Sequence, residues 1–235
     1  MRRSAALLAI LLGCSSPRAQ VEAADQALFQ GDLGPWEALC SPDYSDALGK
    51  KAELMRDLER LSKMTTAFTV KSRDVEELGG GAEGRRTLQA TLELSFSSST
   101  LGEWRWTGPR SLELDGGKVR SGAFTDLRDL IDLFDRRRRA LEANDAEAIG
   151  ALLHPEYKDG DHDREATVAR LREDLLGAKI RLEPLSYWAE DRGLQTHVDE
   201  RYRLTIGEVS RAAVARFSLR KAAGRWRIEG GLYRD

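Results

Sequence analysis

The chain has 235 residues, of which 37 are Lys or Arg and 39 are Asp or Glu, so its formal net charge is −2. A composition that is 41% hydrophobic and 32% charged is typical of a folded globular protein and argues against an intrinsically disordered chain. The near-neutral charge gives no general attraction for nucleic acid, and no apolar run reaches the roughly 18 residues of a transmembrane helix.

The N-terminus has the pattern of a signal peptide. Met1–Arg3 is a short basic region, and Ala5–Leu12 is an apolar stretch too short to span a bilayer. The stretch ends in Leu11-Leu12-Gly13-Cys14, which resembles the bacterial lipobox, where a small residue precedes a cysteine that is acylated before cleavage. The resemblance implies that residues 1–13 are removed and that Cys14 carries the lipid.

Lipidation of Cys14 implies a location in the cell envelope. The next residue is Ser15 and not the aspartate that signals inner-membrane retention, which favours the periplasmic face of the outer membrane. We predict that residues 14–20 form a short tether, which reaches about 20 Å when extended. The alternative is an ordinary secretory signal cut after Ala19, which places Pro17 and Arg18 where small residues are preferred.

The rest of the chain contains an internal repeat. A shift of 113 residues aligns 27–58 with 140–171 without a gap, and 9 of the 32 aligned positions are identical. A shift of 107 aligns the C-terminal ends of the two copies around Gly117 and Gly224. The repeat therefore predicts two domains, at residues 21–124 and 125–235.

Each copy begins with helical periodicity and ends with alternating strands. In the first copy the periodicity predicts three helices, at Ala23–Gln30, Pro35–Cys40 and Lys50–Ser62. Alternation then predicts a strand at 87–96. The second copy predicts a helix from Asp126 onward, helices at Ala146–Leu153 and Arg164–Leu176, and a strand at 194–206. Glycine-containing turns at Asp115–Gly117 and Ala222–Gly224 predict hairpins. Helices on one face of an antiparallel sheet make an α+β fold.

These motifs together resemble the nuclear transport factor 2-like (NTF2-like, SnoaL-like) superfamily. The resemblance depends on the helix order, on Pro-Asp/Glu-Tyr-x-Asp at Pro42–Asp46 and Pro155–Asp159, and on Gly-x-Trp-x-Ile at Gly224–Ile228. It implies two tandem cone-shaped domains, each with about three helices on a curved antiparallel sheet that wraps a pocket. It does not imply one activity, because the superfamily includes isomerases, dehydratases and non-catalytic binding modules.

One acid falls on the predicted inner face of the second sheet. Glu200 shares strand parity with Val198 and Tyr202, whereas Asp199 and Arg201 point outward. A carboxylate facing an apolar cavity would have a raised pKa and would suit general acid or base catalysis. With Glu200 and Tyr202 as the catalytic candidates, we predict a ligand pocket lined by Tyr157, Trp188, Glu200 and Tyr202. The alternative is a structural Glu200 paired with an arginine.

No metal or cofactor site is predicted. Asp159–Asp163 resembles the front of a calcium loop, but Arg164 replaces its glycine and Arg170 replaces its bidentate glutamate. The glycine-rich segment 79–86 lacks the Lys-Ser/Thr ending of a phosphate loop. The run Arg136–Arg139 follows three aspartates on one helix, which favours an ion-paired surface over nucleic-acid binding.

The sequence leaves two functions open. The first is a membrane-anchored lipoprotein whose NTF2-like domains form a non-catalytic binding or assembly module for a small apolar ligand or a periplasmic protein. The second is an isomerase or dehydratase that uses Glu200 as general acid or base. Catalysis requires a second polar group that points to the same place as Glu200, and no such group is identified in the sequence.

Overall fold

The structure is a computed structural model that describes residues 16–79 and 85–232. The predicted signal peptide, residues 1–13, and the predicted lipidation site, Cys14, lie outside the described residues. Six helices and twelve strands form within the described ranges. None of these helices combines the length and the apolar character that a membrane crossing requires.

Three helices open each copy of the repeat. In chain order they are α1 (Pro17–Phe29), α2 (Gly34–Leu39), α3 (Lys51–Met64), α4 (Thr125–Glu142), α5 (Ala146–Gly150) and α6 (Arg164–Asp174). The first of them starts earlier than its predicted beginning at Ala23, because Ser16 caps it through the backbone N–H of Ala19, at 3.3 Å, and Pro17 suits the first helical position. Helix α1 therefore replaces most of the extended tether predicted over residues 14–20.

In both copies the long strands follow the helices, and a short two-stranded hairpin precedes the third helix. The strands are β1 (Ser45–Asp46), β2 (Gly49–Lys50), β3 (Thr66–Gly79), β4 (Arg85–Ser98), β5 (Gly102–Asp115), β6 (Lys118–Ser121), β7 (Lys158–Asp159), β8 (His162–Asp163), β9 (Ile180–Asp191), β10 (Gln195–Ile206), β11 (Val209–Ala222) and β12 (Arg225–Gly230). This order of helices and strands confirms the predicted α+β class.

The chain divides into two compact units. Unit 1 contains the described parts of residues 1–63, 70–91 and 110–123. Its sheet has the order β6-β5-β4-β3, where β3 is an edge strand. Helix α1 is fixed in this unit by a buried ion pair, in which Arg110 on β5 donates to Asp25 at 2.6 Å.

Unit 2 contains residues 64–69, 92–109 and the described residues from 124 onward. Its sheet has the order β12-β11-β10-β9-β5-β4-β3. The sequence predicts an antiparallel sheet, and strands β9 to β12 do pair antiparallel. Strands β5 and β9 are the exception in this sheet, because they pair in parallel, from Glu103 opposite Ser186 to Thr107 opposite Glu190. The interior of unit 2 therefore takes side chains from β5, including the buried Trp104.

The same local structures recur in both copies. The hairpins β1–β2 and β7–β8 pair in equivalent registers 113 residues apart. In each hairpin a buried tyrosine donates its hydroxyl proton to the aspartate two residues later, from Tyr44 to Asp46 at 2.6 Å and from Tyr157 to Asp159 at 3.1 Å. The predicted two-residue turns also form, with positive φ at both residues of each turn: Gly116, Gly117, Ala223 and Gly224. The duplication itself remains a prediction.

Candidate functional site

Glu200 lies where strand alternation placed it. Strand β10 directs Val198 and Glu200 into the interior of unit 2, and both side chains are 0% exposed. The intervening Asp199 and the following Arg201 lie on the opposite face, where Arg201 is exposed. The prediction that Glu200 faces inward is therefore confirmed by the geometry of the strand.

Both carboxylate oxygens of Glu200 are occupied. Arg137 on α4 donates from Nη1 to Oε2 at 2.8 Å, and the Tyr187 hydroxyl on β9 donates to Oε1 at 2.7 Å. The Arg137 side chain is only 5% exposed, so solvent screens this ion pair little. Glu200 is thus a member of a buried hydrogen-bonded ion pair.

Aromatic rings fill the space around this ion pair. The Trp104 and Tyr187 rings stack at 4.3 Å between centroids, and the Phe134 ring lies 5.0 Å from that of Tyr187. Phe134 also meets Phe217 edge to face at 5.4 Å, and the Arg137 guanidinium lies 4.6 Å from the Phe217 centroid. These contacts have the geometry of a packed aromatic core.

The two tyrosines near the pair hold their protons. Burial raises the pKa of Tyr187 well above its usual range, and the negative charge of Glu200 raises it further. Burial also raises the pKa of the half-buried Tyr202, on which the charges of Arg137 and Glu200 act in opposite directions. A general base needs an oxygen lone pair within reach of substrate, whereas Glu200 has no exposed surface. In this geometry both oxygens of Glu200 accept hydrogen bonds from protein groups, and neither faces solvent.

Trp188 does not line a pocket with Glu200, which corrects our prediction. Its side chain is 65% exposed, on the face opposite to the buried Tyr187. A β-bulge causes the difference: Arg201 pairs with Ser186 but Tyr202 pairs with Pro184, so Leu185 is an extra residue in β9. The extra residue shifts the alternation along β9, so that Leu182 and Tyr187 are both buried.

Tyr157 is also wrongly placed in the predicted pocket. It is buried in unit 2, and its hydrogen bonds go to Asp159, Thr167 and the backbone of Leu232. Burial is the largest cause of its raised pKa, followed by the Asp159 carboxylate. Tyr44 makes the equivalent bond in unit 1, so Tyr157 stabilises the hairpin turn that both copies contain. The four predicted pocket residues therefore do not converge on one site.

An arginine partner for Glu200 was an open alternative in the sequence, but neither Arg137 nor Tyr187 was identified there. Arg137 belongs to the run Arg136–Arg139, which the sequence indicates as an ion-paired surface. Two members of the run do form surface ion pairs: Arg136 with Asp132, at 3.7 Å, and Arg139 with Asp135, at 2.8 Å. A signal was available for Arg137, because it follows the buried Phe134 by three residues, on the same helix face. Tyr187 gave no such signal, since the bulge in β9 hid its orientation.

A second buried carboxylate lies at the end of β9 in unit 2. Asp191 is 6% exposed, and its Oδ1 accepts from the backbone N–H of Gly193 at 2.7 Å, whereas its Oδ2 accepts no hydrogen bond from the described residues. Burial raises the pKa of Asp191 to about 7, although the hydrogen bond from the Gly193 backbone acts to lower it. The negative charge of Asp126 also raises this pKa, and the positive charge of Lys221 lowers it. Lys221 itself is paired with Asp126, at 2.6 Å.

The outer face of the unit 2 sheet carries apolar side chains among charges. Trp188 lies between Arg105 of β5 and Asp199 of β10, its cross-strand neighbours. Asp199 accepts from Arg216 at 2.8 Å, and Val214, which is exposed, lies opposite Arg201. This face therefore presents a solvated tryptophan surrounded by arginines and an acid.

The surface of unit 2 also has a depression. An open depression of about 540 Å³ lies between the α4–α5 turn and the end of α6, and Leu176, which is exposed, borders it. Over residues 16–79 and 85–232, no group of three or more His, Cys, Asp and Glu side chains has the arrangement of a metal site.

No protein-family model and no curated protein sequence matches this chain. Among solved structures, the chain is similar to an NTF2-like protein of unknown function from Pseudomonas putida, with 15% identity, a TM-score of 0.39, and coverage of 44% of this chain and 81% of that one. It is also similar to a dehydratase candidate of the NTF2-like family from Streptomyces avermitilis, with 14% identity, a TM-score of 0.40, and coverage of 46% and 93%.

A third similar structure is an NTF2-like protein of unknown function from Shewanella oneidensis, with 13% identity, a TM-score of 0.38, and coverage of 45% of this chain and 95% of that one. All three of these solved structures are described as NTF2-like proteins.

Proposed function

We propose that this chain is a lipoprotein, anchored through Cys14 at the periplasmic face of the outer membrane, that acts as a non-catalytic binding or assembly module. The observation that supports this function is the filled interior of unit 2. Both oxygens of Glu200 are engaged by Arg137 and Tyr187, and the pair is enclosed by aromatic rings. No base is presented to a substrate there.

The same packing favours a protein partner over a small apolar ligand. Small-molecule sites are typically concave cavities of about 300–1,000 Å³ that enclose most of the ligand. In unit 2 the space beside Glu200 holds Trp104, Phe134 and Phe217 instead. A ligand for this interior would have to displace stacked rings and separate a buried ion pair, which is costly.

The outer face of the unit 2 sheet supplies a surface for such a partner. Exposed tryptophan and arginine are the side chains that contribute most to protein interfaces, and here Trp188 lies beside Arg105, with Val214 exposed opposite Arg201. A partner with an apolar patch and an acidic rim fits this face. We assign the docking role to a periplasmic protein with that chemistry.

Site-specific photo-crosslinking in intact cells tests the docking surface. A photoreactive amino acid replaces Trp188 in one variant and Leu176 in a second, since both side chains are exposed and lie in unit 2. We expect discrete crosslinked products from position 188 and none from position 176. Equal products from both positions, or none from position 188, would contradict a partner on this face.

Native mass spectrometry of the purified mature protein tests the absence of an internal ligand. We expect the mass of the acylated polypeptide alone, and a diacylglycerol-modified N-terminal peptide beginning at Cys14. A stoichiometric small-molecule adduct that disappears in the Arg137→Met/Glu200→Leu double variant would favour an internal ligand site. A mature N-terminus at a residue other than Cys14 would refute the lipid anchor.

A further inference from the structure

We infer that the first turn of α1 is held directly against the lipid headgroups, so that the membrane anchor and the folded body are joined without a flexible linker. This inference depends on the proposed lipidation of Cys14. It follows from the short sequence separation of Cys14 and the N-cap Ser16 and from how firmly α1 is fixed in unit 1. The partner is a bilayer surface, and the docking element is a helix end.

The connection between anchor and helix is short. Ser16 caps α1, and Ser15 alone separates it from Cys14 in the sequence. Two Cα–Cα steps span at most about 7 Å, compared with about 20 Å for the tether that the sequence suggested. A lipid on Cys14 therefore keeps the N-terminal end of α1 at the depth of the headgroups.

Helix α1 cannot lengthen the connection by leaving the body. Val21, Ala24 and Leu28 are buried, and Asp25 accepts two hydrogen bonds from Arg110, at 2.6 and 3.3 Å. The Arg110 guanidinium lies 5.3 Å from the Trp36 ring centroid. Detaching α1 would expose this apolar face and separate a buried ion pair, a change that strongly destabilises proteins.

The surface next to the anchor is defined by α1 and β3 of unit 1. Arg18 and Glu22 border a shallow depression together with Ser72 and Val75 of β3. We call these four residues, with the exposed Ala19, the anchor-proximal surface. It includes part of an edge strand, whose open backbone groups proteins normally protect, and contact with the headgroup layer covers this edge.

Charge does not provide the attraction. Arg18 and Glu22 pair at 2.9 Å, so the charged side chains of the anchor-proximal surface neutralise each other. Removal of residues 1–13 takes away Arg2 and Arg3, which leaves 35 basic against 39 acidic residues in the mature chain. Because a net negative body is repelled by anionic lipid, the acyl chains alone hold the surface in place.

Fluorescence quenching by lipid tests this orientation. Bimane is attached to cysteine at Ala19 in one variant and at Gln30, the exposed C-cap of α1, in the matched control. The two positions are 11 residues apart on α1, or about 17 Å along its axis. Cys40 is 2% exposed and is left in place, and the parent chain reports its background labelling. The acylated chains are placed in phosphatidylethanolamine/phosphatidylglycerol vesicles containing brominated phosphatidylcholine.

We expect stronger quenching at position 19 than at position 30. A variant with 20 Gly and Ser residues inserted between Ser15 and Ser16 should lose most of the quenching at position 19, because such a segment spans about 25 Å on average. Equal quenching at both positions, or quenching at position 19 that the insertion leaves unchanged, would overturn the inference while the lipoprotein proposal stands. Absence of acylated Cys14 from the mass spectrum would overturn the lipoprotein proposal itself.

Discussion

Replacing Asp191 with asparagine should change how the stability of the protein depends on pH. The carboxyl group of Asp191 is buried at the end of β9, where its Oδ1 accepts from the Gly193 backbone and its Oδ2 accepts from none of the described residues. Burial raises its pKa from the ordinary value of 3.8 to about 7. The folded protein therefore binds a proton on this side chain over a pH range in which the unfolded chain has lost it.

The sign of the effect follows from that difference in bound protons. Because the folded state holds the extra proton, the free energy of unfolding decreases as the pH rises from about 4 to about 7, and then stays constant. Each pKa unit is worth about 1.4 kcal/mol, so raising the pH from 5 to 8 should cost about 3 kcal/mol through Asp191 alone. The amide of the Asp191→Asn variant cannot ionise and keeps an acceptor for Gly193, so this variant should lack the loss.

Urea denaturation at pH 5 and pH 8 measures the effect. We expect the free energy of unfolding of Asp191→Asn, relative to the parent, to be about 3 kcal/mol more favourable at pH 8 than at pH 5. Glu190→Gln is the matched control, since Glu190 is adjacent but exposed, and its effect should be the same at both pH values. A pH-independent effect of Asp191→Asn would refute the argument that burial raises this pKa.

Three other sets of substitutions test the remaining structural claims, each by urea denaturation. Glu200→Leu should destabilise the protein by about 3–5 kcal/mol, because it leaves Arg137 buried and unpaired. Adding Arg137→Met to Glu200→Leu should restore most of the lost stability. A double variant as unstable as Glu200→Leu alone would contradict the role of the buried pair. Tyr44→Phe and Tyr157→Phe should each cost about 1 kcal/mol, and clearly unequal losses would argue against equivalent roles. Trp188→Ala should change stability by less than about 0.5 kcal/mol, and a larger loss would show that Trp188 belongs to the core.

The features that the sequence predicted well depend on short-range chemistry. The turns at Gly116-Gly117 and Ala223-Gly224 have the positive φ that a two-residue hairpin needs at both central residues; glycine permits it at three positions, and Ala223 adopts it at φ 49°. The inward orientation of Glu200 followed from alternation along β10 from Val198 onward. The helices were located by periodicity, and the largest difference is that α1 begins at Pro17 and not at the predicted Ala23.

The features that escaped prediction depend on tertiary context. No local pattern marks Leu185 as the extra residue of a bulge, so the inward position of Tyr187 and the outward position of Trp188 could not be predicted. Arg137 was recognisable by its spacing from Phe134, but its partner is 63 residues away on β10. The parallel pairing of β5 with β9 likewise joins segments that no sequence periodicity connects.

The stacking of Trp104 on Tyr187 has a consequence for how this gene can vary. The two rings lie 4.3 Å apart, yet their codons fall on opposite sides of the repeat boundary that we predict near Phe124. Recombination at that boundary would preserve every motif within each half and still give Tyr187 an unmatched neighbour. Natural variants should therefore inherit positions 104 and 187 as a pair.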